Sequence, residues 1–354
     1  MFSLDKTRND TSVTLDLLRA VAAQMVCVGH TINFGGLGRT EAPSIGVLIF
    51  FVLSGFVIAH TLKSKTDAGD YSFGRYCVER FCRIYCAYFP AMMLIGAAQI
   101  AATWYGLQFK PIDPTDVKTF LANLVMLQGY PMSSGFGTFG VAGQMTSIAI
   151  EFHIYFFVGA LFFLCIGRQR KIAAIIAICS ATMPLGYFLQ FDARALFLLW
   201  LMGFAIYFAV RSIKLDGELA AIFTVTTAGI LYFWKPFANV ANVYDIANFP
   251  AIALCFAALV VVTQCYRMIA ANVTAAKLVH LFAGYSLTLF LVHLSVIRTI
   301  FEVWPHPSWM EFLVAIVAAN LFSLAFSRIG EVRYKRAAEW IIGAFRRPQI
   351  APAE

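Results

Sequence analysis

Ser44-Ile-Gly-Val-Leu-Ile-Phe-Phe-Val-Leu-Ser-Gly-Phe-Val-Ile-Ala-His-Thr-Leu62 runs without a single Asp, Glu, Lys or Arg. At a rise of about 1.5 Å per residue, a helix of this length reaches across a hydrocarbon core of about 30 Å. Outward from it the same kind of block recurs, at 14–34, 84–107, 146–168, 172–188, 193–210, 218–234, 246–263, 281–301 and 309–328, ten blocks with the first quoted. Backbone polar groups must be satisfied inside lipid, and barrel strands would show short alternating segments, so the blocks read as helices. Composition agrees. Of 354 residues, 60% are hydrophobic and 13% charged, against roughly 25% charged in an average soluble domain, and mean hydropathy is +0.75. That balance speaks against a soluble enzyme, a disordered chain and a disulfide scaffold. The expected fold is all-α, a polytopic membrane bundle of about ten transmembrane helices forming one domain over 1–354. The apolar stretch 117–127 is too short to span and is expected to lie in the interface or re-enter.

Loops rich in Lys and Arg are retained on the cytoplasmic side. With Arg19 set aside as intramembrane and both termini inside, 20 of the other 26 basic residues fall on that side, including Lys63, Lys65, Arg75, Arg80 and Arg83 in one loop. The tails 1–13 and 330–354 are then cytoplasmic, and the hydrophilic stretch 108–145 becomes an extracytoplasmic access loop. The net charge of +8 serves topology and anionic lipid, with no pattern suggesting nucleic acid. No cysteine falls in an outer loop, so no disulfide framework is expected, and Cys82 and Cys86 read as small apolar filler with no metal. Residues 1–13 are polar, so no cleavable signal peptide is expected.

Ionisable groups inside spans cost about 2.5–3.5 kcal/mol each and ask for a reason. Arg19 and His30 are eleven residues apart in the first block, which returns to within about 20° of the same helix face, about 16 Å further along. Ala23, Val26 and Cys27 lie between them, which suits a polar passage through the bundle. The alternative is that Arg19 pairs with Asp16 while His30 makes a bundle contact. Ser147, Glu151 and Tyr155 share a face of the fourth block, with Glu151 close to the depth of His30. A carboxylate beside an imidazole orients it and raises its basicity, as general-base catalysis requires. Ser286 and His293 share a face of the ninth block, with His293 in the outer half. His153 points away from the Glu151 face. Arg80 and Arg83, at i and i+3, project two guanidinium forks from the mouth of the third block, suited to phosphate oxygens or to plain membrane anchoring.

Together these segments resemble acyltransferase family 3, integral-membrane acyltransferases that include bacterial O-antigen and other polysaccharide O-acetylases. The resemblance rests on Leu15-Asp-Leu-Leu-Arg19-Ala with His30, Phe50-Phe51-Val-Leu-Ser54-Gly55-Phe56, Arg80-Phe-Cys-Arg83-Ile84, Ser147 to Tyr155, and Tyr285-Ser286-Leu through His293. Thr146 stands where family members usually have Trp, and Leu17 where they have Gly. Some relatives carry a fused extracytoplasmic hydrolase-like domain; with only residues 329–354 after the last block, none is expected here.

The resemblance implies transfer of an acyl group, most often acetyl, from acyl-coenzyme A to a hydroxyl of a carbohydrate or glycolipid acceptor, in the bacterial inner membrane. In that scheme Arg80 and Arg83 dock the coenzyme, with Arg19 near its entry. His30, supported by Glu151, is the general base, and Arg19, Tyr155 or His293 supplies a donor to the oxyanion. Ser147, Tyr155 and His293 are the expected substrate contacts. Direct transfer and a transient acyl-enzyme on His30 both stay open, as do the acceptor, the oligomeric state and partner proteins. A proton-coupled transporter would also use buried Arg, Glu and His, although neither an inverted repeat nor paired broken spans accompany them.

Overall fold

The computed structural model describes residues 4, 8–69, 71–106, 114–131, 136–190, 195–214, 216–236, 242–304 and 308–345. Expectations placed on Lys6, Lys110, Arg194, Arg346 and Arg347, and on parts of the two tails and of the 108–145 loop, lie outside the described residues. Among the described residues there is no strand. Helices α1 (Thr11–Phe34), α2 (Ala42–Asp67), α3 (Phe73–Trp104) and α5 (Met145–Cys165) form the first half, with the short α4 (Val117–Leu124) between the last two. Helices α6 (Arg170–Leu189), α7 (Leu196–Ser212), α8 (Gly217–Trp234), α9 (Phe249–Cys265), α10 (Val273–Gly284), α11 (Ser286–Val303), α12 (Trp309–Phe326) and α13 (Tyr334–Phe345) follow. Nine helical segments of the described residues are long and apolar enough to cross a membrane. Helix α7, with 17 residues, sits at the lower limit of a span. The helical polytopic bundle is thus the observed architecture.

Two glycines set the tightest helix pair. A Cβ on Gly55 of α2 would strike the carbonyl of Trp200 in α7, and one on Gly203 of α7 would strike that of Val52 in α2. Small residues let helix backbones approach closely where lipid offers no hydrophobic drive. This approach brings the Trp200 indole within 3.2 Å of the Ser54 hydroxyl. The start of α1 is fixed just as firmly. The buried Asp10 carboxylate accepts backbone N–H bonds from Met268, Ile269 and Ala270 at 2.6–2.9 Å, so α1 stands beside α9 and α10.

One end of the bundle gathers the basic loops. Asp67 at the end of α2 bonds Lys63 and, across to α7, Arg211. Lys65 reaches Glu79 of α3 at 2.6 Å, and the turn before α6 caps α3 through Gln169. At the other end the eight-residue α4 does not span. Tyr85 and Tyr88 of α3 donate to carbonyls of Leu124 and Asn123, and His153 of α5 bonds the Met126 carbonyl. His153 is therefore a structural contact of the connecting segment, away from Glu151.

The apolar block 281–301 is not one helix. It breaks at Tyr285 between α10 and α11, because the Glu331 carboxylate takes the backbone N–H of Leu287 and Thr288 and the Thr288 hydroxyl, capping a new helix start. Tyr285 itself donates to Asn320 of α12, which also pairs with Gln24 of α1.

Candidate active site

Three guanidinium groups face one cavity. Arg19 of α1 and Arg80 and Arg83 of α3 line a space of about 90 Å³ whose inner end holds Glu151 and Tyr155 of α5 and Ser54 of α2. Toward the basic end it adjoins a wider cavity of about 470 Å³, lined by the same three arginines with Asp16, His280, Glu331, Tyr334 and Lys335. The arginines differ in how far they are committed. Arg19 pairs with Asp16 at 2.9 Å, and His280 approaches the other carboxylate oxygen at 2.8 Å. Arg83 reaches Glu331 at 3.4 Å and lies over the Tyr334 ring. Arg80 has no carboxylate partner among the described residues; its Nε is buried without a hydrogen-bond partner, and its guanidinium lies 6.0 Å from the Tyr76 ring centre. An unpaired cation held in a half-buried cavity is a ready site for an anion.

At the inner end the polar groups form a chain. Indole N–H only donates and an ionised carboxylate only accepts, which fixes its sense: Trp200 donates to Ser54 (3.2 Å), Ser54 to Tyr155 (2.9 Å), and Tyr155 to Glu151 (2.6 Å). Tyr76 donates to the Tyr155 backbone carbonyl, with its ring packed on Gly159. Glu151 is thereby held facing the arginines. Ser147, one turn earlier, lines an adjoining pocket with Glu151.

The two histidines form a second group. His30 stacks on His293 with ring centres 5.3 Å apart. The fully buried His293 bonds the Leu289 carbonyl through Nδ1 at 2.9 Å. A carbonyl only accepts, so Nδ1 carries the proton, and in the neutral ring Nε2 is a lone-pair base with no partner. Neither histidine lines the arginine cavity. Phe50, which lines that cavity, meets Phe290 edge to face with 5.7 Å between centres, and Phe290 in turn lies 6.2 Å from His293.

Two expectations are corrected here. Among the described residues no hydrogen bond joins Glu151 to His30: the carboxylate is taken by Tyr155, and the neighbour of His30 is His293. The α1 face between Arg19 and His30 is also not a passage. Ala23 and Cys27 pack against Tyr285, Leu289 and Ile297 and against Ala315 and Ala319 of α12, and Val26 is buried in the main core. The open route instead runs from Arg19 toward Glu151 between α2, α3, α5 and α11. Arg19, Arg80, Arg83, Glu151 and Tyr155 therefore meet, with Ser147 adjoining, while His30 and His293 meet beyond the aromatic pair.

Sequence reasoning missed Ser54 and Trp200 as partners of Tyr155, and above all Glu331. The one signal for Glu331 was an acidic residue inside the basic run Arg328 to Arg336.

A family model described as an acyltransferase domain matches residues 13–328. Among curated proteins, "Protein 2 in picA locus" of Rhizobium radiobacter is 38% identical over 102 residues, covering 28% of this chain and 52% of that protein. The chain thus spans about half the length of this curated relative. No solved structure matches.

Proposed function

Because the chain belongs to the acyltransferase-domain family, whose model covers residues 13–328, we propose that this integral membrane protein moves an acyl group, acetyl in the first instance, from cytosolic acyl-coenzyme A to a hydroxyl of a carbohydrate or glycolipid. The observation that carries this reading is the cavity with Arg19, Arg80 and Arg83 on its walls, in which Arg80 is unpaired. Coenzyme A is a polyanion with a long flexible arm. Its phosphates meet Arg80 first, then Arg83 and Arg19, and the arm carries the thioester toward Glu151 and Tyr155.

The acceptor hydroxyl approaches from the histidine side. His30 removes its proton as the oxygen attacks the thioester carbon, the C–S bond breaks, and the leaving thiolate takes up that proton to give free coenzyme A. Attack places negative charge on the carbonyl oxygen, which needs donors already in position; the Arg19 guanidinium lines the cavity and keeps N–H groups beyond the one on Asp16 to provide them. His293 keeps its Nδ1–H on Leu289 and orients the His30 ring by stacking. Phe50, which lines the arginine cavity and meets Phe290 edge to face, is the ring that turns aside when both substrates are bound, while Phe290 stays in place. Glu151 acts on the donor side, holding Tyr155 and balancing the arginines. The transporter reading gains nothing from this arrangement, since the described spans offer no paired half-helices around a central site.

The test is transfer of label from acetyl-coenzyme A, labelled in its acetyl group, by the purified protein in liposomes supplied with membrane glycans. Label that becomes bound to carbohydrate and is released by mild alkali is the expected result. Folded protein that transfers label to no glycan overturns the proposal.

A further inference from the structure

The arginine cavity does not end at Glu151. Sharing Phe50, Glu151 and Leu287 with it lies a smaller pocket of about 40 Å³. Val47 and Phe51 of α2, Ile148 of α5 and Phe290 of α11 complete its wall. All four are buried, and Phe290 meets Phe50 edge to face. Its polar lining is confined to Ser147 and Glu151, and Glu151 already accepts the Tyr155 hydroxyl. A trapped water needs two to four polar partners and about 10–15 Å³ of such space. Six of its eight lining residues are apolar, so the lining favours hydrocarbon, and the volume admits roughly three groups of that size.

Resting on the reading that the donor is an acyl thioester, we infer that this pocket receives the acyl chain, and that Phe290, which lines this pocket but not the arginine cavity, closes its far side and limits the chain to two or three carbons. The chain enters past Glu151, so the thioester carbonyl stays at the pocket mouth beside Tyr155 while the methyl end rests against Phe51 and Ile148. A six-carbon chain would have to displace Phe290, whose ring centre lies 6.2 Å from that of His293. Phe290 is the residue to change, because it lines this pocket and not the arginine cavity and holds no polar group.

The experiment measures dissociation constants for coenzyme A, acetyl-, butyryl- and hexanoyl-coenzyme A on the purified full chain in detergent, by equilibrium dialysis with label in the adenine. The wild type is expected to bind acetyl-coenzyme A at least as tightly as coenzyme A, and hexanoyl-coenzyme A more weakly by about tenfold or more. Phe290→Ala is expected to recover about tenfold in hexanoyl-coenzyme A binding. Ile148→Ala, which enlarges the pocket from the α5 wall, is expected to move the same ratio in the same direction, and retained coenzyme A binding certifies that either variant is folded. Equal wild-type affinity for acetyl- and hexanoyl-coenzyme A, or an unchanged ratio in both folded variants, overturns the pocket assignment. Failure of coenzyme A and every thioester to bind the wild type overturns instead the donor reading beneath it.

Discussion

Glu331 ties the arginine cavity to the rest of the bundle, and its removal has a size that follows from its contacts. The carboxylate is 3% exposed and accepts from the Leu287 and Thr288 amides, the Thr288 hydroxyl and the Arg83 guanidinium. Removing one partner of a buried ion pair costs about 3–5 kcal/mol. Each orphaned donor costs about 1–3 kcal/mol, but these penalties overlap because the groups share one carboxylate, so Glu331→Ala is expected to lose about 3–5 kcal/mol in all. Its apparent Tm in detergent, followed by tryptophan fluorescence, should fall by about 5–10 °C. Glu331→Gln keeps one acceptor oxygen for Thr288 but loses the charge, and should cost about half as much. Glu339→Ala, on the exposed face of α13, should stay within about 0.5 kcal/mol of wild type. The double variant with Arg83→Ala should cost less than the sum of the single changes, because it removes the stranded cation as well. A Glu331→Ala protein that melts with the wild type, or strict additivity with Arg83→Ala, would refute the reasoning.

Four further outcomes follow from the same geometry. Arg80→Ala should raise the KM for acetyl-coenzyme A by about ten- to a hundredfold with kcat nearly unchanged, the loss of one charge-assisted contact; steady-state kinetics against donor concentration check it. Tyr155→Phe breaks the chain from Trp200 to Glu151 and should lower kcat while leaving donor affinity within about threefold, read from the same kinetics. Gly203→Val drives a side chain into the Val52 carbonyl and should cost at least about 3 kcal/mol, visible as loss of the monodisperse peak in size-exclusion chromatography. Asp116 caps α4 by accepting from the Thr119 amide and hydroxyl, and these bonds hold its carboxyl below the usual carboxylate range. Its contribution is therefore present at neutral pH and lost as pH falls through that lowered value. Hydrogen exchange in α4 should distinguish wild type from Asp116→Ala at pH 7, with the difference vanishing once the Asp116 carboxyl is protonated.

Much of the fold was legible because a charge-free window of span length permits few structures in lipid. The block 44–62 alone gave α2, whereas the close approach of α7 at Gly55 came only with the structure. The break at Tyr285 was not legible, since Gly284, Tyr285 and Ser286 are tolerated inside a helical apolar run; the helix is restarted by a carboxylate far along the chain at 331. Site residues were found by type and depth, and depth was the part that could be counted. Spacing placed Arg19 and His30 on one face of α1, but whether that face is hollow or packed depends on α11 and α12, which filled it around Ala23 and Cys27. Likewise Glu151 and His30 lie on different helices, and helix azimuth decides whether they meet; α5 turns Glu151 toward Tyr155 and the arginines, and α11 brings His293 to His30.

The central claim is that a donor held by the arginines is attacked by a hydroxyl deprotonated at the histidine pair. It is tested most directly by single-turnover transfer from labelled acetyl-coenzyme A in His30→Ala, with donor affinity measured on the same preparation. The account predicts a loss of about 10²–10⁴ in the transfer rate at unchanged donor Kd. Transfer by folded His30→Ala at the wild-type rate would contradict it.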